Sequence, residues 1–128
     1  MASKALLLSV VSLLLAVLMV STTRVESKQC EGGDVEIFQF ANGFGQGHIP
    51  EFLVQIVNSS PTGTPVSNVH VSCGEFASAR LVDPHVFKRL MPNDCLVKDG
   101  KQLAANEIVS FVYTNSRAYD LVVSHINC

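Results

Sequence analysis

The chain has 128 residues, nine basic and eleven acidic, for a formal net charge of −2. That length holds one ordinary domain, and the missing basic excess argues against nucleic acid as a partner. Four cysteines, no tryptophan and two tyrosines point to a small cross-linked domain with little aromatic surface to offer.

Met1–Lys4 is short and basic. Ala5–Val20 is an unbroken run of apolar residues and serine, about 16 long, which fits the hydrophobic region of a signal peptide. A membrane anchor is the rival reading. The run falls short of the roughly 20 residues needed to span a bilayer, and no basic stop-transfer cluster follows. Val25-Glu26-Ser27 places modest residues before a cut, so residues 1–27 are read as a cleaved leader and 28–128 as one secreted domain. Cleavage removes Lys4 and Arg24 from the bases and Glu26 from the acids. Seven bases then face ten acids, and the exported chain is mildly acidic.

After Cys30 and the Gly32-Gly33 turn, Asp34–Phe40 alternates as a strand, with Val35 and Ile37 on one face and Phe38 and Phe40 on the other. Asn42–Gly47 is a glycine-rich loop without the Lys-Ser/Thr and helix that a phosphate cradle requires. Glu51–Val57 is a second strand, pointing Phe52, Val54 and Ile56 to one side. Asn58-Ser59-Ser60 is a glycosylation sequon, and Ser59–Pro65 is rich in turn formers.

Val66–Cys73 sets Val69, Val71 and Cys73 on one face and Asn68, His70 and Ser72 on the other, the pattern of a half-buried strand. Ala79–Val82 reads as short and extended. Asp83-Pro84 reads as a helix start, with Asp at the N-cap and Pro at the first helical position, leaving room for a turn or two over His85–Leu90. Pro92-Asn93-Asp94 breaks it. Cys95–Val97 is a short strand, and Asp99-Gly100 signals a hairpin. Glu107–Thr114 is a strong strand with Val109, Phe111 and Tyr113 aligned, and Leu121–Ile126 is the last. About seven short strands at a spacing of roughly 8–15 residues predict an all-β fold, a small antiparallel β-sandwich with a short helical turn.

The segment Val69–Lys101 carries a cysteine near each end, the consecutive pair Lys88-Arg89, and the densest turn signals. The overlapping segment Val66–Gly100 also carries a resemblance. VSNVHVSCG, then FASARLVDP with FKRL, then NDCLV with DGK, resembles the plant Tapetum Determinant family. Glu31–Phe40 and Ile49–Asn58 are similar to that family's opening strands, and Ile108–Cys128 to its close. The resemblance implies a small secreted cysteine-rich protein that acts as a ligand. The founding member binds the ectodomain of a leucine-rich-repeat receptor kinase, Excess Microsporocytes, which specifies the anther tapetum. A role in anther or tapetum cell fate, or in related cell differentiation, is the expectation here. The generic glycosyltransferase label of some members has no support in this chain, which is too small and lacks an Asp-x-Asp metal motif.

The chain departs from that family in three places. Relatives usually carry six cysteines in the mature domain, and the absent pair aligns with Ser60 and Thr64. Glu75 stands where relatives often have Trp, and Asp120 where they often have Pro. Loss of both cysteines together implies that they pair locally in relatives, where so short a loop contributes little.

Cys30, Cys73, Cys95 and Cys128 are then structural. Four cysteines allow three pairings. Cys73–Cys95 with Cys30–Cys128 is the favoured one; Cys30–Cys95 with Cys73–Cys128 is its main rival. Zinc is the other use of four cysteines, but no CxxC or HxxxH pair occurs. Arg80, Lys88 and Arg89 are either a solvated charged face or a patch that steers an acidic receptor surface. Phe87 beside them is a core residue or an exposed anchor. His48, His70, His85 and His125 are scattered, and no nucleophile motif or carboxylate dyad stands out. The sequence therefore nominates no catalytic residue, metal ligand or cofactor. It predicts an apoplastic receptor ligand, with no membrane attachment after cleavage. The alternative is a wall carbohydrate-binding module, for which an aromatic platform built on Tyr113 and Tyr119 is thin.

Overall fold

The computed structural model describes residues 34–128. The leader read over residues 1–27, its cut after Ser27, and Cys30 lie outside them.

The described residues form an all-β sandwich of seven strands in two antiparallel sheets. These are β1 (Val35–Phe44), β2 (Pro50–Asn58), β3 (Ser67–Ser72), β4 (Phe87–Met91), β5 (Asp94–Val97), β6 (Ile108–Thr114) and β7 (Val122–Asn127). One sheet has the order β1-β2-β6 and the other β4-β5-β3-β7.

Alternation decides which face of each strand is buried. From the three-stranded sheet, Val35, Val54, Ile56, Val109, Phe111 and Tyr113 point into the core. Val69, Val71, Phe87, Cys95 and Val97 meet them from the other sheet. Burying each large apolar side chain stabilises the fold by about 1.5–3 kcal/mol. The inward sides read for β2, β3 and β6 are the ones observed. In β1 only the Val35 side is turned in; Phe38 and Phe40 on the outer face stay 43% and 50% exposed.

Cys73 and Cys95 are disulfide-bonded, with Cα atoms 6.1 Å apart. The bond follows from register: Val71 sits opposite Cys95 in the β3–β5 pair, and Cys73 follows on the same buried side. This excludes the rival pairing. No thiol among the described cysteines is free.

Three local expectations are corrected. Ala79–Val82 is not a strand, and Leu81 there is exposed to solvent. The helix start at Asp83 is real but lasts one turn. Asp83 Oδ1 accepts the His85 N–H at 2.9 Å, and its carbonyl accepts from Val86 and Phe87. The chain then becomes β4, because Phe87 belongs to the core and its neighbours pair with β5. The strand was hidden by its position at a sheet edge, where only Phe87 of five residues is buried. Finally, Asp99 and Gly100 take the positive φ values of 55° and 76° expected of their type. They close a 3-10 turn rather than a hairpin, since the next strand, β6, joins the other sheet.

Candidate interaction surface

The basic residues singled out from the sequence converge. Arg80, Phe87, Lys88 and Arg89 all border one shallow depression of about 230 Å³ beside β4. The loop from Phe76 to Pro84 forms its other wall. Phe87 is 1% exposed, so it supplies the floor and offers no anchor of its own. Its ring stacks on Phe111 at 4.4 Å and meets Phe76 edge-on at 5.0 Å.

A larger cleft of about 560 Å³ lies on the other side of the same loop. Gly45, Glu51, Thr114 and Arg80 help line it. Gly45 is required here by close approach: a Cβ would stand 2.8 Å from Thr114 Cγ2. Arg80 and Leu81 border both hollows, and Leu81 projects between them at 89% exposure. The loop is held at its base. Arg80 N–H donates to Thr114 Oγ1 at 2.8 Å, and Thr114 N–H donates to Ser78 Oγ at 2.9 Å.

The charges differ in how they are held. Arg80 Nη1 pairs with Glu51 at 2.9 Å while its side chain stays largely in solvent. Lys88 Nζ is 3.3 Å from Asp99, and His85 Nδ1 is 2.7 Å from the other oxygen of that carboxylate. Hydrogen bonding from His85, and then from Lys88, holds the Asp99 carboxyl below the ordinary carboxylate range. Arg89 is exposed and has no ion pair among the described residues. The Arg80–Glu51 pair joins positions 29 apart in the chain, a proximity that no spacing rule reveals.

Asn58 does not fit the role of glycan acceptor. It is fully buried. Its amide nitrogen donates to Thr64 O at 2.9 Å and Leu103 O at 3.1 Å, and its oxygen accepts the Ser60 N–H at 3.1 Å. Both amide hydrogens are spent, so a sugar there would displace a core contact. Burial of this sequon depends on chain 45 residues away, which local reading misses. Where the resemblance places the absent cysteine pair, Ser60 and Thr64 are joined through Thr62 by hydroxyls at 3.0 and 2.6 Å.

The histidines stay apart from any metal arrangement. His70 bonds Asp94 and Asn68, His85 bonds Asp99, and His125 bonds Asn127. Among the described residues no group of three or more His, Cys, Asp or Glu could hold a metal ion. Tyr113 is buried and Tyr119 half-buried, so neither is a flat exposed platform. Glu75 and Asp120 are both exposed.

The family model described as Tapetum determinant 1, C-terminal, matches residues 31–128. The chain belongs to the Tapetum determinant 1 family. Among relatives, the rice (Oryza sativa subsp. japonica) TPD1 protein homolog 1B is 45% identical over 105 residues, covering 82% of this chain and 62% of that protein. The Arabidopsis thaliana TPD1 protein homolog 1 is 39% identical over 107 residues, covering 84% and 59%. The rice TPD1 protein homolog 1A is 39% identical over 115 residues, covering 85% and 51%. This chain thus spans between about half and three fifths of the length of these family members. None of their names is that of an enzyme. No solved structure matches.

Proposed function

We propose that the protein is a secreted plant signalling ligand that docks on the ectodomain of a leucine-rich-repeat receptor kinase in the apoplast. Its role is in cell differentiation of the kind that sets tapetum fate. Membership of the Tapetum determinant 1 family supports a developmental role. The observation that carries docking is the gathering of Arg80, Lys88 and Arg89 on the rim of one depression with an aromatic floor. Exposed bases on a rigid rim raise the encounter rate with an acidic surface, while the apolar hollow accepts a side chain. No catalytic step is required of this reading. The test is binding of a purified leucine-rich-repeat ectodomain at several salt concentrations. Arg89→Glu, which breaks no ion pair among the described residues, is expected to weaken binding at least tenfold and leave the melting temperature nearly unchanged. Adding Lys88→Glu should weaken binding further, with some loss of stability where it faces Asp99. Unaltered affinity removes this face from the proposal.

A second reading rests on other residues. Phe38 and Phe40 lie exposed on the outer face of the three-stranded sheet, opposite Gln55 and Leu53. They supply an aromatic platform on which a wall polysaccharide could stack. Retention by insoluble wall polysaccharide, lost in Phe38→Ala with Phe40→Ala, favours this module over the ligand.

A further inference from the structure

The backbone of β4 carries an inference beyond its side-chain charges. β4 is an edge strand, paired on one side with β5. Lys98 N–H donates to Val86 O at 2.8 Å, and Phe87 lies opposite Val97 and Arg89 opposite Cys95. In an antiparallel ladder hydrogen-bonded and non-hydrogen-bonded pairs alternate. Val86 with Lys98 is therefore a bonded pair, and so is Lys88 with Leu96. Phe87 and Arg89 are the non-bonded pairs, with their N–H and C=O groups directed away from β5. The Phe87 N–H is taken by Asp83 O. The Arg89 N–H and C=O, together with the Phe87 C=O, face the open side.

We propose that this open edge of β4 is a strand-addition site for an extended acidic segment of a partner protein. The proposal rests on the docking role assigned above and states the form in which the partner arrives. Strand addition draws affinity from main-chain hydrogen bonds and specificity from alternate side chains. Both are provided for. β4 contains two bases and no acid, and Arg89 has no ion pair among the described residues. The depression beside the strand has Phe76 and Phe87 in its lining. Residues directly opposite each other in a pair point to the same face. An added antiparallel strand thus sets one residue opposite Arg89 and the next opposite Lys88. The third leaves the ladder, because Asp83 O already holds the Phe87 N–H, and turns over the hollow. The fitting order is acid, acid, apolar.

The probe is the blocked peptide Thr-Thr-Glu-Glu-Val-Thr-Thr, titrated into the full exported chain labelled with nitrogen-15. Saturable shifts centred on the Arg89 amide, with slowed hydrogen exchange there, are expected. N-methylation of the first Glu keeps its charge and removes one main-chain donor. It should weaken binding about tenfold, the loss equivalent to one hydrogen bond. Exchanging both Glu for Lys, or Arg89→Glu in the protein, should weaken it at least as much. Equal binding of the N-methyl peptide, or shifts centred on β1 or β7, overturns strand addition. So does ectodomain binding by a chain whose Arg89 amide ignores the peptide. Peptide bound at β4 by a chain that ignores the ectodomain upholds strand addition and sinks the receptor reading alone.

Discussion

Phe87 of β4 stacks on Phe111 of β6 with ring centroids 4.4 Å apart and planes 17° from parallel. This contact joins the two sheets directly below the basic rim. Phe87→Ala leaves a void that close-packed neighbours cannot fill, and should cost about 3–5 kcal/mol in chemical denaturation. A small stability change with a large loss of partner binding would instead make Phe87 a contact residue.

Asn58 ties the end of β2 to the backbone at Thr64 and Leu103. We expect the protein, expressed through a eukaryotic secretory pathway, to carry no N-glycan at Asn58, measured as an intact mass unchanged by glycosidase. Asn58→Ala should destabilise by about 1–3 kcal/mol for each group it strands, the Thr64 carbonyl and the Ser60 N–H, while Leu103 O keeps the Val66 N–H. A glycan found at Asn58 in correctly folded protein contradicts this geometry.

Most of the architecture was legible because β2, β3 and β6 each bury one face. Period-two alternation in Val66–Cys73 and Glu107–Thr114 reports a core on one side and solvent on the other. The reading failed where burial is thin or borrowed. β4 buries one residue of five, so the local helix-start chemistry of Asp83-Pro84 dominated its sequence signal. Ala79–Val82 has strand-like composition, yet its shape is set by Thr114, which takes the backbone of Ala79 and Arg80. The basic residues of the candidate surface could be named from composition. Their common rim, and the Glu51 partner of Arg80, could not, because they depend on how two sheets and a loop meet.

Non-reducing peptide mapping of the native chain should find Cys73 bonded to Cys95 and, by proposal, Cys30 bonded to Cys128. Cys73→Ser with Cys95→Ser opens a loop of 22 residues, a loss of about 3 kcal/mol in the chain-entropy model. Free thiols in the native protein would sink the reading of this chain as an oxidised module.

Acid should weaken the fold by a specific route. Lys98 and the Ala104 N–H bond Glu107 and hold its carboxyl below the usual value, as His85 and Lys88 do for Asp99. A carboxyl with a lowered folded pKa adds stability above its unfolded value, near pH 4, and loses it as pH falls through the folded one. Urea midpoints should therefore decline between about pH 5 and pH 2, and Glu107→Gln should flatten that decline. An unchanged acid limb in the variant removes Glu107 as a source.

Tyr113 governs the opposite limb. Its hydroxyl donates to Gln39 Oε1 at 2.6 Å and accepts the Tyr119 N–H at 2.9 Å, while Gln39 Nε2 donates to Tyr119 O at 2.7 Å. The ring is buried, and that burial raises the phenol above its ordinary value. The neutral form is thus favoured by folding. Its contribution is complete below about pH 10 and is lost as pH rises through the folded value. Tyr113→Phe keeps the ring but strands the Tyr119 N–H and Gln39 Oε1, at a cost of about 1–3 kcal/mol near neutrality. The variant should also lose less stability than the parent on titration to alkaline pH. Parallel alkaline limbs for the two proteins would show that the phenol does not hold β1 to the segment before β7.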